Sequence, residues 1–233
     1  MLIGGIQRFS LIDYPSKTSC IIFTQGCNFR CHFCHNPELI EMDASGDRIM
    51  QKPFFDFLKE RKGKLDAVVI TGGEPTLQRD LTGFIRHIKE IGYLVKIDTN
   101  GTNPILIKSL IDQNLIDSIA MDIKAPWHRY SEVAGIEADN DLLQAIEDSI
   151  EIIIKSNIDY EFRTTTVREL LSVEAILEIA SLIRGAERYV LQRFVPSKTY
   201  NADYMNARSL SEEELAIVVR ECEGTLVQRV ILR

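Results

Sequence analysis

Three cysteines fall within eight residues. They are Cys27, Cys31 and Cys34, in the segment Gly26-Cys27-Asn28-Phe29-Arg30-Cys31-His32-Phe33-Cys34-His35-Asn36-Pro37. A C-x3-C-x2-C spacing on a loop lets three thiolates wrap one metal centre, and soft thiolates select zinc, Cu(I) or an iron–sulfur cluster. In a structural zinc site His32 or His35 would be the fourth ligand. A four-iron cluster normally takes four cysteines. The remaining two, Cys20 and Cys222, are far away in sequence. A cubane held by the three clustered thiolates would keep one iron open for a substrate or cofactor. Spacing alone leaves zinc and iron–sulfur both standing.

Three further motifs carry chemistry. Gly72-Gly73-Glu74-Pro75 joins paired glycines, which permit close backbone approach of a ligand, to a carboxylate that suits an ammonium group. The bland alternative is a turn. Asp98-Thr99-Asn100-Gly101 reads either as an Asx turn or as polar groups facing a ligand. Asp122 and Lys124 are two apart on a strand, so they share a side and can pair. As an exposed ion pair that would be worth only about 0–1 kcal/mol.

The elements that must position these motifs alternate between strand and helix. Short β-branched runs predict strands at Ser19–Thr24, Ala67–Thr71, Leu94–Asp98, Ser118–Ile123, Tyr160–Thr166 and Arg188–Val195. Helical stripes lie between them. One opens at Pro53 and stops before Gly63. Others run through Leu81, Phe84, Ile85, Ile88 and Ile91, through Leu143 to Ile154, and through Ile176 to Ile183. Ile105–Gln113 is a weaker helix, and Ser211 to Glu214 is a capping box that opens the last one. The first 18 residues and Leu226–Leu232 look like added extended segments. Six strand–helix units imply a parallel α/β sheet, either an open doubly wound sheet or a partial barrel. All four motifs follow successive strands, and in such folds the carboxyl ends of the strands share one ligand-binding face. The stretch from Gly26 to Lys52 lacks periodicity, as a functional loop would. Buried there, Asp98 and Asp122 would each require a positive partner.

Composition narrows the class. The 233 residues carry 27 Lys plus Arg and 34 Asp plus Glu, a net charge of −7. That balance argues against a nucleic-acid or anionic-membrane surface, where a basic footprint is expected. Apolar residues make up 45% and charged residues 26%, as in an ordinary globular protein. No export signal and no run of membrane-span length is evident, which points to a cytoplasmic protein. An odd cysteine count in that setting does not suggest a disulfide framework. No repeat or linker divides the chain, so residues 1–233 read as one domain with its core at about 19–196.

These motifs together resemble the radical S-adenosylmethionine superfamily, from Ile3 to about Pro196. The C-x3-C-x2-C spacing with Phe33 before its last cysteine, joined to Gly72-Gly73-Glu74-Pro75, carries the resemblance. Within it the chain is similar to glycyl-radical-enzyme activating proteins, through Cys34-His35-Asn36-Pro37, Asp98-Thr99-Asn100-Gly101 and Asp122-Ile123-Lys124. Phe9-Ser10-Leu11-Ile12-Asp13-Tyr14-Pro15 and Phe23-Thr24-Gln25-Gly26-Cys27 resemble activating proteins of anaerobic ribonucleoside-triphosphate reductase. The resemblance implies a partial (β/α)6 TIM-like barrel of parallel strands with outer helices. It implies a [4Fe-4S] cluster on Cys27, Cys31 and Cys34, with S-adenosylmethionine chelated to the fourth iron. Gly72, Gly73 and Glu74 would receive the methionine amino group. Asn36, Asn100 and Lys124 would contact polar parts of the cofactor, and Phe33 would lie near the adenine. Asp98 and Asp122 match positions that in some activating enzymes hold a monovalent cation. Arg163 would be a carboxylate partner, with an ion pair to a neighbouring helix as its alternative. Gln192 stands near a cofactor-contacting position of some relatives.

The implied activity is that of an oxidoreductase. One-electron reduction cleaves S-adenosylmethionine to methionine and a 5′-deoxyadenosyl radical, which takes hydrogen from a glycine of a partner enzyme. A pyruvate formate-lyase-type partner, or a small-molecule reaction such as 7-carboxy-7-deazaguanine synthesis, is the alternative. Cys20 and Cys222 are too few for a second cluster, so electrons would come from a flavodoxin or ferredoxin.

Overall fold

Consecutive apolar residues become parallel strands where both faces of the sheet are covered. A computed structural model describes residues 1–42 and 49–233, so part of the irregular 26–52 stretch lies outside the described residues. Eight strands form one sheet in chain order: β1 (Ile3–Ser10), β2 (Ser19–Thr24), β3 (Ala67–Gly72), β4 (Leu94–Thr99), β5 (Ser118–Asp122), β6 (Asp159–Thr166), β7 (Arg188–Arg193) and β8 (Arg229–Leu232). Every neighbouring pair is parallel except β1 with β2. The helices are α1 (Gln51–Glu60), α2 (Leu81–Ile91), α3 (Pro104–Asp112), α4 (Tyr130–Ala134), α5 (Asn140–Ile154), α6 (Val173–Leu182) and α7 (Glu212–Cys222). This is a partial TIM-like barrel. It has the six expected strand–helix units from β2 to α7, extended by the antiparallel β1 and the parallel β8 into which the two terminal segments fold.

Boundaries moved by one or two residues. Pro53 sits third in α1 rather than first. Its missing N–H is harmless there, because the first four amides of a helix have no partner within it. The capping box of α7 is formed as expected, with Ser211 and Glu214 exchanging bonds.

The two faces of the sheet have different jobs. On the helix side Cys20, Ile22, Val68, Ile70, Ile97 and Ile119 join helix residues such as Leu58, Leu81, Ile85 and Ile153 in one continuous apolar core. Cys20 is therefore a core residue, and Cys222 joins the same core from α7. On the concave side a small plug of Tyr14, Ile21, Ala67 and Val69 fills the amino-terminal end. Above that plug the inward positions turn charged: Lys96, Asp98, Asp122 and Arg163. Among the described residues no helix is long and apolar enough to cross a membrane.

Candidate active site

The cysteine loop is tied shut at its base by backbone bonds. Gly26 N–H donates to Leu39 C=O at 2.8 Å, and Cys27 N–H donates to Ile40 C=O at 2.9 Å. Within the loop Cys34 N–H donates to Cys31 C=O at 3.0 Å, and Arg30 Nη1 donates to the Cys27 C=O at 2.7 Å. Outside groups pin its rim. Arg30 N–H donates to Ala134 C=O at 2.8 Å, Asn201 N–H donates to His32 C=O at 3.0 Å, and His35 stacks on Phe194 at 5.3 Å. None of these anchors uses a sulfur.

All three thiols line one cavity of about 240 Å³ at the carboxyl ends of the strands. Burial pushes the Cys27 thiol up to about 11 and the Cys31 thiol up to about 12, with Lys124 opposing both. Cys34 is raised by the same cause. Iron binding here would displace protons from these thiols. Three thiols lining one cavity are a soft donor set of the kind that holds an iron–sulfur cluster.

The paired glycines also permit a close approach within the chain. Gly72 has φ +114°, and a Cβ there would stand 2.4 Å from Thr24 N. A Cβ on Gly73 would stand 2.2 Å from Gly26 O. The close approach they permit is that of the cysteine loop itself, sealed by Gly73 N–H to Thr24 C=O and Glu74 N–H to Gly26 C=O, both 2.8 Å. Gly73→Ala is accordingly expected to displace the loop, at a stability cost of about 1–3 kcal/mol, with lower iron content after reconstitution. Denaturant unfolding and iron analysis check this together.

Glu74 is 1% exposed and serves as a junction. Its Oε1 accepts from Thr76 N–H (2.9 Å), Thr76 Oγ1 (2.5 Å) and Thr99 Oγ1 (2.7 Å), while Oε2 accepts from Asn100 N–H (2.7 Å). Burial raises its pKa against the pull of these donors. Oε2 retains capacity for one further donor. Asn100 extends the junction to the cysteine loop, donating from Nδ2 to Asn28 Oδ1 at 2.8 Å. Thr99 and Asn28 stand within motifs and Thr76 directly after one, but nothing in the sequence assigns these three a role of their own.

The structure brings most of the expected residues to the same cavity. Phe33, Asn36, Gly72, Gly73, Glu74, Asp98, Asn100, Asp122, Lys124 and Gln192 line it with the thiols. Thr165 joins them, paired in register with Gln192 across β6 and β7. Arg163 is the exception. It lies beneath the lining, where its Nε donates to Asp122 Oδ1 at 2.8 Å and its Nη1 to Asp98 Oδ2 at 3.0 Å. The expectation of a cofactor carboxylate on Arg163 is thus corrected: both carboxylates it binds belong to neighbouring strands, and neither partner is on a helix. Lys96 completes the group, with Nζ 2.6 Å from Asp98 Oδ1, and Lys124 Nζ stands 3.1 Å from Asp122 Oδ2. The sequence reading missed Lys96, although its i, i+2 spacing from Asp98 is the same cue that paired Asp122 with Lys124. Burial pushes the Asp122 carboxyl up, but Arg163 and then Lys124 outweigh it and hold it well below the usual range. Asp98 is lowered through Arg163 and Lys96 against the same opposition. Burial opposes the charge on Lys124, but Asp122 holds its pKa above the ordinary value.

Comparison with known proteins agrees with this geometry. The Radical SAM superfamily pattern matches residues 21–171. A protein of Methanocaldococcus jannaschii, provisionally named a glycyl-radical enzyme activating enzyme, is 37% identical, over 96% of this chain and 98% of its own. A 7-carboxy-7-deazaguanine synthase of Thermoplasma acidophilum is 31% identical, over 64% of this chain and 66% of its own. Streptococcus suis SuiB bound to S-adenosylmethionine superposes with a TM-score of 0.63 at 15% identity, over 89% of this chain and 48% of that one, a likeness of fold.

Proposed function

Since the chain belongs to the radical S-adenosylmethionine superfamily, we propose that it is an activating enzyme that takes a hydrogen atom from a glycine of a partner glycyl radical enzyme, with anaerobic ribonucleoside-triphosphate reductase as the first candidate. The observation that carries this reading is the shared cavity, lined by three thiols and by a charged Lys124. Bound there, a [4Fe-4S] cluster with S-adenosylmethionine on its open iron would supply one electron to the sulfonium and release methionine and a 5′-deoxyadenosyl radical.

The chain's own residues bind and orient. Cys27, Cys31 and Cys34 would hold three irons. The Gly72–Glu74 segment would face the methionine amino group through its backbone and the remaining capacity of Glu74 Oε2. Asn36 and Lys124 would hold polar parts of the cofactor, with Phe33, edge-on to Phe194 at 6.4 Å, on the adenine side. Thr165 and Gln192 are uncharged members of the cavity lining, so they would guide a peptide without titrating. A backbone glycine suits that approach, because it has no side chain in the way and its α-radical is stabilised by the flanking amides. Cys20 and Cys222 are enclosed in the apolar core, which supports an external flavodoxin or ferredoxin as electron donor.

Lys124→Ala is expected to weaken S-adenosylmethionine binding while iron content stays at the wild-type level, because Asp122 keeps Arg163 as its partner. Iron loss in that variant would assign Lys124 a folding role instead. The reading as a whole is tested by anaerobic incubation of the reduced protein with candidate glycyl radical enzymes, beginning with anaerobic ribonucleoside-triphosphate reductase and pyruvate formate-lyase. A glycyl radical signal in electron paramagnetic resonance identifies the partner. Cofactor cleavage with no such signal from any candidate would favour a small-molecule substrate.

A further inference from the structure

We propose that this chain supplies internally the positive charge that a bound monovalent cation would otherwise provide, with Lys96 and Arg163 as positioning residues, so that S-adenosylmethionine binds independently of potassium or sodium. The inference rests on the activating-enzyme reading above. An alkali cation needs open carboxylate or carbonyl oxygens. At Asp98 and Asp122 each of the four carboxylate oxygens already meets a protein cation, so an alkali ion would have to share its oxygen with an ammonium or guanidinium group. Lys96 and Arg163 take those of Asp98, at 2.6 and 3.0 Å. Arg163 and Lys124 take those of Asp122, at 2.8 and 3.1 Å. A monovalent ion beside these two carboxylates therefore does not fit this chain.

Charge counting leads the same way. Three cations on two carboxylates leave a net +1 within the cluster. A further cation would enter surroundings that are already positive and poorly solvated, since the Lys96 side chain is 2% exposed and the Arg163 side chain 11%. An anion is favoured there instead. Lys124 alone of the three lines the cavity, and Arg163 shares its hold on Asp122. The surplus positive charge is thus presented to the cavity at Lys124 Nζ, where the carboxylate of an amino-acid-like ligand could receive it. Lys96 and Arg163 reach no ligand. They act by fixing Asp98 and Asp122, and through Asp122 the position of Lys124.

The test uses the full cluster-loaded protein under anaerobic conditions. Binding isotherms for S-adenosylmethionine are measured in potassium chloride, sodium chloride and tetramethylammonium chloride at equal ionic strength. The expected result for the wild type is the same affinity in all three salts. Lys96→Met frees one oxygen of Asp98 and is expected to lose about tenfold or more in affinity in tetramethylammonium, with part of that loss recovered in potassium or sodium. A merely structural role for Lys96 gives no recovery by a small cation. A wild-type affinity that rises severalfold with potassium would overturn the inference alone, and so would a folded Lys96→Met protein that binds like wild type in every salt. If that variant does not fold, the wild-type comparison decides. No binding in any salt would overturn the activating-enzyme reading, and the inference with it.

Discussion

Replacing Cys31 by alanine is expected to abolish cofactor cleavage while leaving the fold in place. The two halves of this result have separate causes. Cys31 is 7% exposed and lines the cavity with Cys27 and Cys34. Its loss leaves two thiolates, fewer than a cubane needs for three held irons. Iron and sulfide content should fall well below wild type, and 5′-deoxyadenosine should drop to background. The fold should survive because the anchors of the loop are backbone bonds from Gly26, Cys27, Arg30, Cys34 and Asn201. Removing one sulfur from a partly apolar site should cost no more than about 1–2 kcal/mol, at the low end for small core truncations. Iron analysis, product chromatography and denaturant unfolding measure the three quantities separately. Full cleavage by this variant would remove the cluster assignment.

Arg163→Met carries the largest expected effect on stability. The guanidinium makes two of the four bonds that hold Asp98 and Asp122. Without it, two part-buried carboxylates remain with one lysine each. Removing one partner of a buried charge network costs about 3–5 kcal/mol, and the surviving Lys96 and Lys124 place this variant toward the lower end. The pH dependence has a definite sign. Both carboxyls lie below their ordinary values in the folded protein. Their contribution is complete above the unfolded value, about 3.9 for aspartate, and is lost as pH falls through the lower folded values. In Arg163→Met the folded values move back up, so acid unfolding should begin at a higher pH than in the wild type. Unfolding curves at neutral and acidic pH check both statements. A variant as stable as wild type at neutral pH would show that the pairs at Asp98 and Asp122 contribute nothing net.

The elements were legible because parallel strands buried on both faces leave unbroken β-branched runs, as in Ala67–Gly72, and because the helices keep an apolar stripe, as in Leu81–Ile91. The convergence of the motifs was legible for a topological reason: each follows a strand, and the carboxyl ends of parallel strands share one face. The details that escaped are those fixed by the third dimension. Gly72 and Gly73 line the cavity, and their missing side chains also admit Thr24 and Gly26 from the preceding strand and loop, which spacing alone does not show. Arg163 lies two residues from the cavity-lining Thr165 on the same face of its strand, so alternation could not say that it stops one layer below the cavity floor. Lys96 stands between the apolar Val95 and Ile97 and belongs to no motif. Its partner Asp98 could have flagged it, because a lysine and an aspartate two apart on a strand share a face whichever way that face points. Glu74 lines the cavity, and its donors on Thr76, Thr99 and Asn100 join two motifs whose contact with one another the sequence does not show.

The central claim is that this cavity generates a 5′-deoxyadenosyl radical which takes hydrogen from a protein glycine. Isotope tracing tests it most directly. The partner enzyme is produced with its glycines fully deuterated at Cα and incubated anaerobically with the reduced, cluster-loaded protein and unlabelled S-adenosylmethionine. The account predicts 5′-deoxyadenosine that carries deuterium in its methyl group, formed together with a glycyl radical on the partner. Unlabelled 5′-deoxyadenosine formed alongside that radical, or a glycyl radical formed with no 5′-deoxyadenosine, would contradict it.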